Sequence, residues 1–201
     1  FEVIEKFKKN IYKSKILEKL RIKSQEYILV SLHREENVDN FNNFYILLNA
    51  INKVAEKYKL PIIFTTHPRT KNKIKDIGIV LNPLIRNISP LGFCDYVHLQ
   101  KNAYIVLSDS GTISEESAMM QFPAISIRTS TERPEAIDTG SILLGGINDN
   151  DIINSIETIL ITKNNENFTI PIEYQISNVS NRVIRIIQSY TNVVNKVIWN
   201  K

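Results

Sequence analysis

Two rhythms of apolar and polar positions alternate along this chain. "FEVIEKFKKNIYKSKILEKL" spaces Phe1, Ile4, Phe7, Ile11, Ile16 and Leu20 at helical intervals with lysines between them, which predicts helix over residues 1–20. From Tyr27 the rhythm shortens. "YILVSL" is a compact β-rich run, "FNNFYILLNAINKVAEKYKL" is an amphipathic helix, and "PIIFTT" is a second strand of the fully buried type. The alternation continues with the loop "HPRT", a helix over 70–77, a strand at 79–81 and a helix over 95–102. The strand in "YIVLSDSGT" follows, then a helix over 112–120, the strand "AISIR" and a short helix over 134–139. The strand "SILLG", a helix over 149–161 and a long helix over 178–199 complete the pattern. The polar patch "TKNNENFTIPIE", residues 162–173, reads as a surface connection before that last helix.

Strands separated by helices of this length predict an α/β fold: one parallel sheet with helices on both faces. In open sheets of this kind, ligands bind outside the carboxyl ends of the strands. The segments that follow strands here are residues 31–37, 65–70, 108–116 and 128–135, and all four are crowded with polar donors. The chemistry is expected there.

Composition narrows the possibilities without choosing among them. The 201 residues suffice for one sizeable core, so a single compact domain is expected. The net charge of +4 comes from basic residues scattered among acids and not gathered in a stripe, which argues against nucleic acid as the partner. A lone cysteine, Cys94, rules out an internal disulfide framework and suits a reducing compartment. No apolar run approaches the roughly 18 to 20 residues that cross a bilayer, so the expectation is a cytoplasmic protein with no membrane partner.

At "SDSGTISEES", residues 108–117, a buried strand ends and a helix begins. Asp109 or Ser110 can cap that helix, Gly111 permits a tight turn, and the amides of Gly111, Thr112 and Ile113 are placed to meet an anion such as phosphate. An ordinary cap without ligand fits the same residues. Glu116, six residues past Ser110, lies about 9 Å further along a helix rising about 1.5 Å per residue, within reach of a nucleotide's sugar hydroxyls. In "RTSTERPEA", Arg128 and Arg133 stand beside the same sheet edge. Either can grip phosphate with a planar fork, although a surface salt bridge from Arg133 to Glu132 or Glu135 is the plainer alternative. His33 and His67 follow successive strands directly and would face one crevice, where imidazole can donate to phosphate or act as acid or base. His98, within a helix, reads as structural, and no HxH or HExxH spacing suggests a metal site. Glu35, Glu36 and Asp39 read as loop structure and as charges at the helix start near Phe41.

"HREEN", the "THP" after the second strand, "SDSGTISEE" and "RTSTERPEA" followed by Gly140, in that order, resemble the non-hydrolysing UDP-N-acetylglucosamine 2-epimerases. The resemblance runs from about Ser14 to the final helix. It implies a Rossmann-like domain, the carboxyl-terminal, UDP-binding half of a glycosyltransferase-B type fold. Residues 1–20 would then be a linker helix and 178–199 a terminal crossover helix, with an amino-terminal domain lying outside residues 1–201. It further implies that Ser110 and Gly111 hold the diphosphate, Glu116 the ribose and Arg133 a phosphate, while Tyr96 flanks the uracil and His33 stabilises UDP as leaving group. The implied reaction inverts C2 of a UDP-2-acetamido sugar by anti elimination of UDP and its re-addition, with no cofactor or metal. The carboxylates that move the C2 proton would lie in the other domain. Arg34 and His67 match residues that bind a second UDP-GlcNAc in some bacterial members, and such proteins are commonly homodimers. Two positions depart from the common pattern: Thr112 stands where many members have a second glycine, and Glu35 where many have a second arginine. The combination looks most like the branch that forms UDP-N-acetyl-L-fucosamine from UDP-2-acetamido-2,6-dideoxy-L-talose. A glycosyltransferase sharing the same cleft and a non-catalytic UDP-binding domain are the other readings of these residues.

Overall fold

The computed structural model describes residues 1–162 and 169–200. Six parallel strands form one sheet: β1 (Ile28–Ser31), β2 (Ile62–Thr65), β3 (Ile85–Ile88), β4 (Ile105–Ser108), β5 (Ala124–Ser126) and β6 (Leu143–Leu144), in the order β3-β2-β1-β4-β5-β6. The order reverses between β1 and β4, and the crevice at such a reversal is where open α/β sheets place ligands. The helices are α1 (Glu2–Tyr12), α2 (Ile16–Leu20), α3 (Glu35–Val38), α4 (Phe41–Tyr58), α5 (Pro68–Ile77), α6 (Phe93–Asn102), α7 (Ile113–Met120), α8 (Pro134–Asp138), α9 (Asp149–Thr162) and α10 (Val179–Val197).

Because successive residues of a strand point to opposite faces, the central strands feed two cores. Ile28, Val30 and Leu32 join Phe44, Leu48 and Ile51 of α4 and Ile152 and Ile156 of α9 on one face. Tyr27 and Leu29 join Leu99 of α6, Ile113 of α7 and Ala136 of α8 on the other. Both faces are covered, as the near-continuous apolar strands require.

Most predicted elements are present, and the exceptions have local causes. Helix does not run unbroken over residues 1–20: the Ser14 hydroxyl accepts from Ile16 N–H (3.2 Å) and donates to Asp95, ending α1 and starting α2. The strand expected at 79–81 is absent. There Asn52 of α4 donates to Val80 O (2.9 Å) and accepts from Asn82 N–H (2.8 Å), so these backbone groups are satisfied by a side chain and the strand forms later, as β3. "SILLG" contributes only Leu143 and Leu144 to the sheet. The stretch after β1, expected as loop, contains the single-turn helix α3. Of the surface connection expected at 162–173, residues 163–168 lie outside the described residues, and Ile172–Gln175 form a 3-10 turn. Among the described residues, no helix is long and apolar enough to cross a membrane.

Candidate functional site

The register places a row of hydroxyl residues along the carboxyl edge of the sheet. Ser31 pairs with Thr65 on one side and Ser108 on the other, and Ser108 pairs with Ser126. Everything that follows these four residues emerges on one side of the sheet. Three groups of predicted residues gather there.

The first lies over β1 and β2. A cavity of about 260 Å³ is lined by Ser31, His33, Thr65, His67, Leu91 and Tyr96, so the two histidines share one crevice as their positions suggested. His67 has a local task as well: its Nδ1 accepts from Arg69 N–H (3.4 Å), capping α5, which begins at Pro68. Tyr96 stands in the wall of this cavity together with Ser31. Burial pushes its phenol up to about 12, so it stays protonated at neutral pH.

The second lies at the β4–α7 turn. Ser110 N–H donates to Ser108 Oγ (3.1 Å), and the Ser110 and Thr112 hydroxyls are 3.0 Å apart. Ile113 N–H turns back to Ser110 O (3.4 Å), so of the three amides expected to meet an anion this one is already engaged. The Arg133 guanidinium packs over Gly111: a Cβ there would stand 3.1 Å from Arg133 Nη1. Glycine at 111 therefore admits the cation to the turn. Neither alternative salt bridge for Arg133 forms. Its Nε donates to Glu115 of α7, whereas Glu135 accepts from Tyr174 OH (2.7 Å) and Glu132 is held by Arg128. One turn up α7, Glu116 accepts from Gln100 Nε2 (2.6 Å). Burial raises its carboxyl above the ordinary 4.5, opposed by the hydrogen bonds from Gln100 and Thr112. Gln100 is itself buried, and its Oε1 has no partner.

The third is a charge cluster. Arg128 is 2% exposed and bonds Glu132 with both terminal nitrogens (2.9 and 2.7 Å) and Glu36 through Nε (3.2 Å). Arg34 reaches the same two glutamates (3.3 and 3.4 Å). These two arginines are thus separated from Arg133 by function: they tie the loop after β1 to the loop after β5. Asp39, expected as a charge at the start of the next helix, instead pairs with Arg69 and Lys73 of α5.

The residue given least weight in the sequence is the most enclosed. Neither of the two cap candidates, Asp109 and Ser110, takes the N-cap of α7; Thr112 occupies that position. The Asp109 carboxylate is fully buried and turns toward β1, accepting from the backbone N–H of His33 (3.1 and 3.2 Å) and Arg34 (3.0 Å) and from Asn37 Nδ2 (3.2 Å). His33 Nδ1 is 3.2 Å from Asp109 Oδ1. An acid directly after a buried strand was the only local sign of this. Among the described residues, no group of three His, Cys, Asp or Glu side chains is disposed to hold a metal ion.

The profile of the UDP-N-acetylglucosamine 2-epimerase family matches residues 1–188. A UDP-N-acetylglucosamine 2-epimerase of Methanococcus maripaludis is 38% identical over 153 residues, which cover 74% of this chain and 41% of that protein. The structure of the UDP-N-acetylglucosamine 2-epimerase from Rickettsia bellii superimposes with a TM-score of 0.86 at 36% identity, over 100% of this chain and 54% of that one. The Methanocaldococcus jannaschii enzyme, crystallised with UDP-GlcNAc and UDP, gives 0.78 at 32% identity over 90% of this chain and 50% of that one. The chain thus spans about half the length of the relatives it matches. With a profile that takes in nearly every residue from Phe1 onward and a sheet that follows its relatives', the chain belongs to the UDP-N-acetylglucosamine 2-epimerase family.

Proposed function

We propose that this chain is the UDP-binding half of a UDP-amino-sugar 2-epimerase, a carboxyl-terminal Rossmann-like domain in a glycosyltransferase-B arrangement. The observation that carries this is the convergence on one sheet edge of His33, the Ser110–Gly111 turn with Arg133 against it, and Glu116. Backbone amides and a guanidinium meet the diphosphate, and the Glu116 carboxylate accepts the ribose hydroxyls. Tyr96, in the wall of the cavity beside His33, flanks the base.

The reaction follows from what such a site can stabilise. Elimination removes the C2 proton and breaks the bond from C1 to the diphosphate oxygen, leaving a 2-acetamidoglycal and UDP. Re-addition of UDP to C1 with protonation at C2 from the other face inverts that centre. Charge grows on the departing diphosphate, and fixed donors aimed there favour the transition state over the bound sugar. The acid and base at C2 belong to the other half of the longer protein. The substrate is UDP-N-acetylglucosamine, going to UDP-N-acetylmannosamine, or UDP-2-acetamido-2,6-dideoxy-L-talose, going to UDP-N-acetyl-L-fucosamine. Arg34 and His67 are assigned to the rim of the site and to a second nucleotide-sugar contact, whereas Arg128, buried against Glu36 and Glu132, holds the loops around it in place of meeting ligand, and the longer protein is assigned to the cytoplasm as a homodimer.

Calorimetry of this chain with UDP tests the nucleotide assignment: binding that ADP does not reproduce is expected, and no heat at millimolar UDP would overturn it. The longer protein, given each UDP sugar in deuterated water without added NAD or metal, is expected to incorporate deuterium at C2. Transfer of the sugar to an acceptor, with no incorporation, would point to a glycosyltransferase instead.

A further inference from the structure

We infer that Asp109 is a positioning residue that holds His33 with a proton on Nδ1, so that a bound diphosphate is met by an imidazolium. The inference rests on reading the site as one for a nucleoside diphosphate. Its observations are separate from that reading. Asp109 is fully buried, yet it does not cap the helix that follows it. Its two oxygens receive two consecutive backbone amides, the Asn37 amide and the approach of His33 Nδ1. Asn37, also buried, donates to Ile127 O at 3.4 Å, so the acceptor is braced from the residue that follows β5 as well.

The consequence lies at the other ring nitrogen. With Nδ1 turned to a carboxylate, a neutral imidazole carries its proton there and leaves a lone pair on Nε2. A lone pair repels a phosphate oxygen. Binding therefore draws a proton from the buffer onto Nε2, giving an imidazolium bracketed by Asp109 and the diphosphate, and that N–H donates to the departing oxygen. The other groups near the ring are Arg34 in the same loop, His67 from the end of β2 and Tyr96 from α6, the last a phenol that stays protonated. Without the carboxylate, the neutral ring is free to carry its proton on Nε2 and can donate with no proton taken up.

The test uses this 201-residue chain. Nitrogen-15 spectra of labelled histidine give the tautomer of each ring, with His33→Gln assigning the signal. Titrations with UDP at about pH 8, above the ordinary imidazole value of about 6.5, in buffers of different ionisation enthalpy give protons taken up per ligand bound. Expected are the Nδ1–H form of His33 in the free protein and uptake of about one proton, abolished in His33→Gln. Asp109→Asn is expected to shift His33 to the Nε2–H form and reduce the uptake to less than half. An Nε2–H form in the unaltered protein, or UDP binding without proton uptake, overturns the inference. Should Asp109→Asn fail to fold, the spectrum and uptake of the unaltered chain still decide. Absence of UDP binding would sink the nucleotide assignment, while the tautomer would still say whether Asp109 orients the ring.

Discussion

At the scale of single residues, the site pairs its cations with carboxylates. Arg133 is held by Glu115, so the diphosphate of the proposed site would compete with that partner. Arg133→Ala is expected to weaken UDP binding by about 1.5 to 3 kcal/mol, the range for a hydrogen bond to a charged group, as read by calorimetry. Glu115→Gln, which removes the competitor, acts in the opposite direction. Glu116 shows how binding and stability oppose each other. Its carboxyl is raised in the folded protein by burial, so the cost to folding is absent below its ordinary 4.5, where it is protonated folded or unfolded, and appears as pH rises through the raised value. Glu116→Gln is thus expected to be more stable than the parent in urea at about pH 7, with the gain vanishing near pH 4, while UDP affinity falls. That His33, Ser110 and Gly111 lie at the carboxyl edge of the sheet was legible in the sequence, because each closely follows an apolar run that announces a strand end, whereas Arg133 is brought there by the loop after β5. The role of Asp109 was not legible, because its partners lie some 75 residues away and depend on β1 lying beside β4. Nor was the Arg133–Glu115 pair, which joins a loop to a helix face across 18 residues.

Among the elements, those whose apolar rhythm is strong formed as expected, and those set by a single side chain did not. α4 shows the first kind: Phe44, Leu47, Leu48, Ile51, Val54 and Ala55 fill its buried face, and Asn40 Oδ1 accepts from Asn42 N–H (3.0 Å) and Asn43 N–H (3.1 Å) at its start. Asn40→Ala is expected to cost about 0.5 to 2 kcal/mol of stability, measured by denaturant unfolding, since it leaves two amides without that acceptor. β3 shows the second kind. Its sequence, "IRNI", carries two exposed polar residues at an edge and gives no apolar signal, whereas "IGIVL" just before it does and is not strand. A cap from Asn52, itself on α4, decided that outcome. The break between α1 and α2 has the same character, since Ser14 is unremarkable until Asp95 is brought to it.

For the molecule as a whole, the long terminal helix is the feature out of keeping with a closed domain. None of the residues of α10 is buried, and Ile184, Ile186, Ile187, Tyr190 and Val193 are all at least half exposed. An apolar face of that extent marks a surface for another protein part. It fits the proposed crossover onto the half of the relatives' length that this chain does not span. Trp199, just past the helix and the only tryptophan, is 63% exposed and reports on this directly. Its emission in the 201-residue chain is expected to be that of a solvated indole, and to move to shorter wavelength in the longer protein. Unchanged emission in the longer protein would count against the crossover.

The pairing of His33 with a carboxylate 76 residues further on has a consequence for how the chain reaches its native state. Nothing local can imitate that arrangement: β1 and β4 must find each other across the loops and helices between them, and contacts this distant in sequence form slowly. A collapsed chain with its helices made but the central strands unpaired has no crevice to offer. On the proposed assignment UDP binds only finished molecules, and at a hundred times its dissociation constant it would add about 2.7 kcal/mol to their stability. The nucleotide becomes a probe of refolding, its binding signal appearing only as the two central strands join.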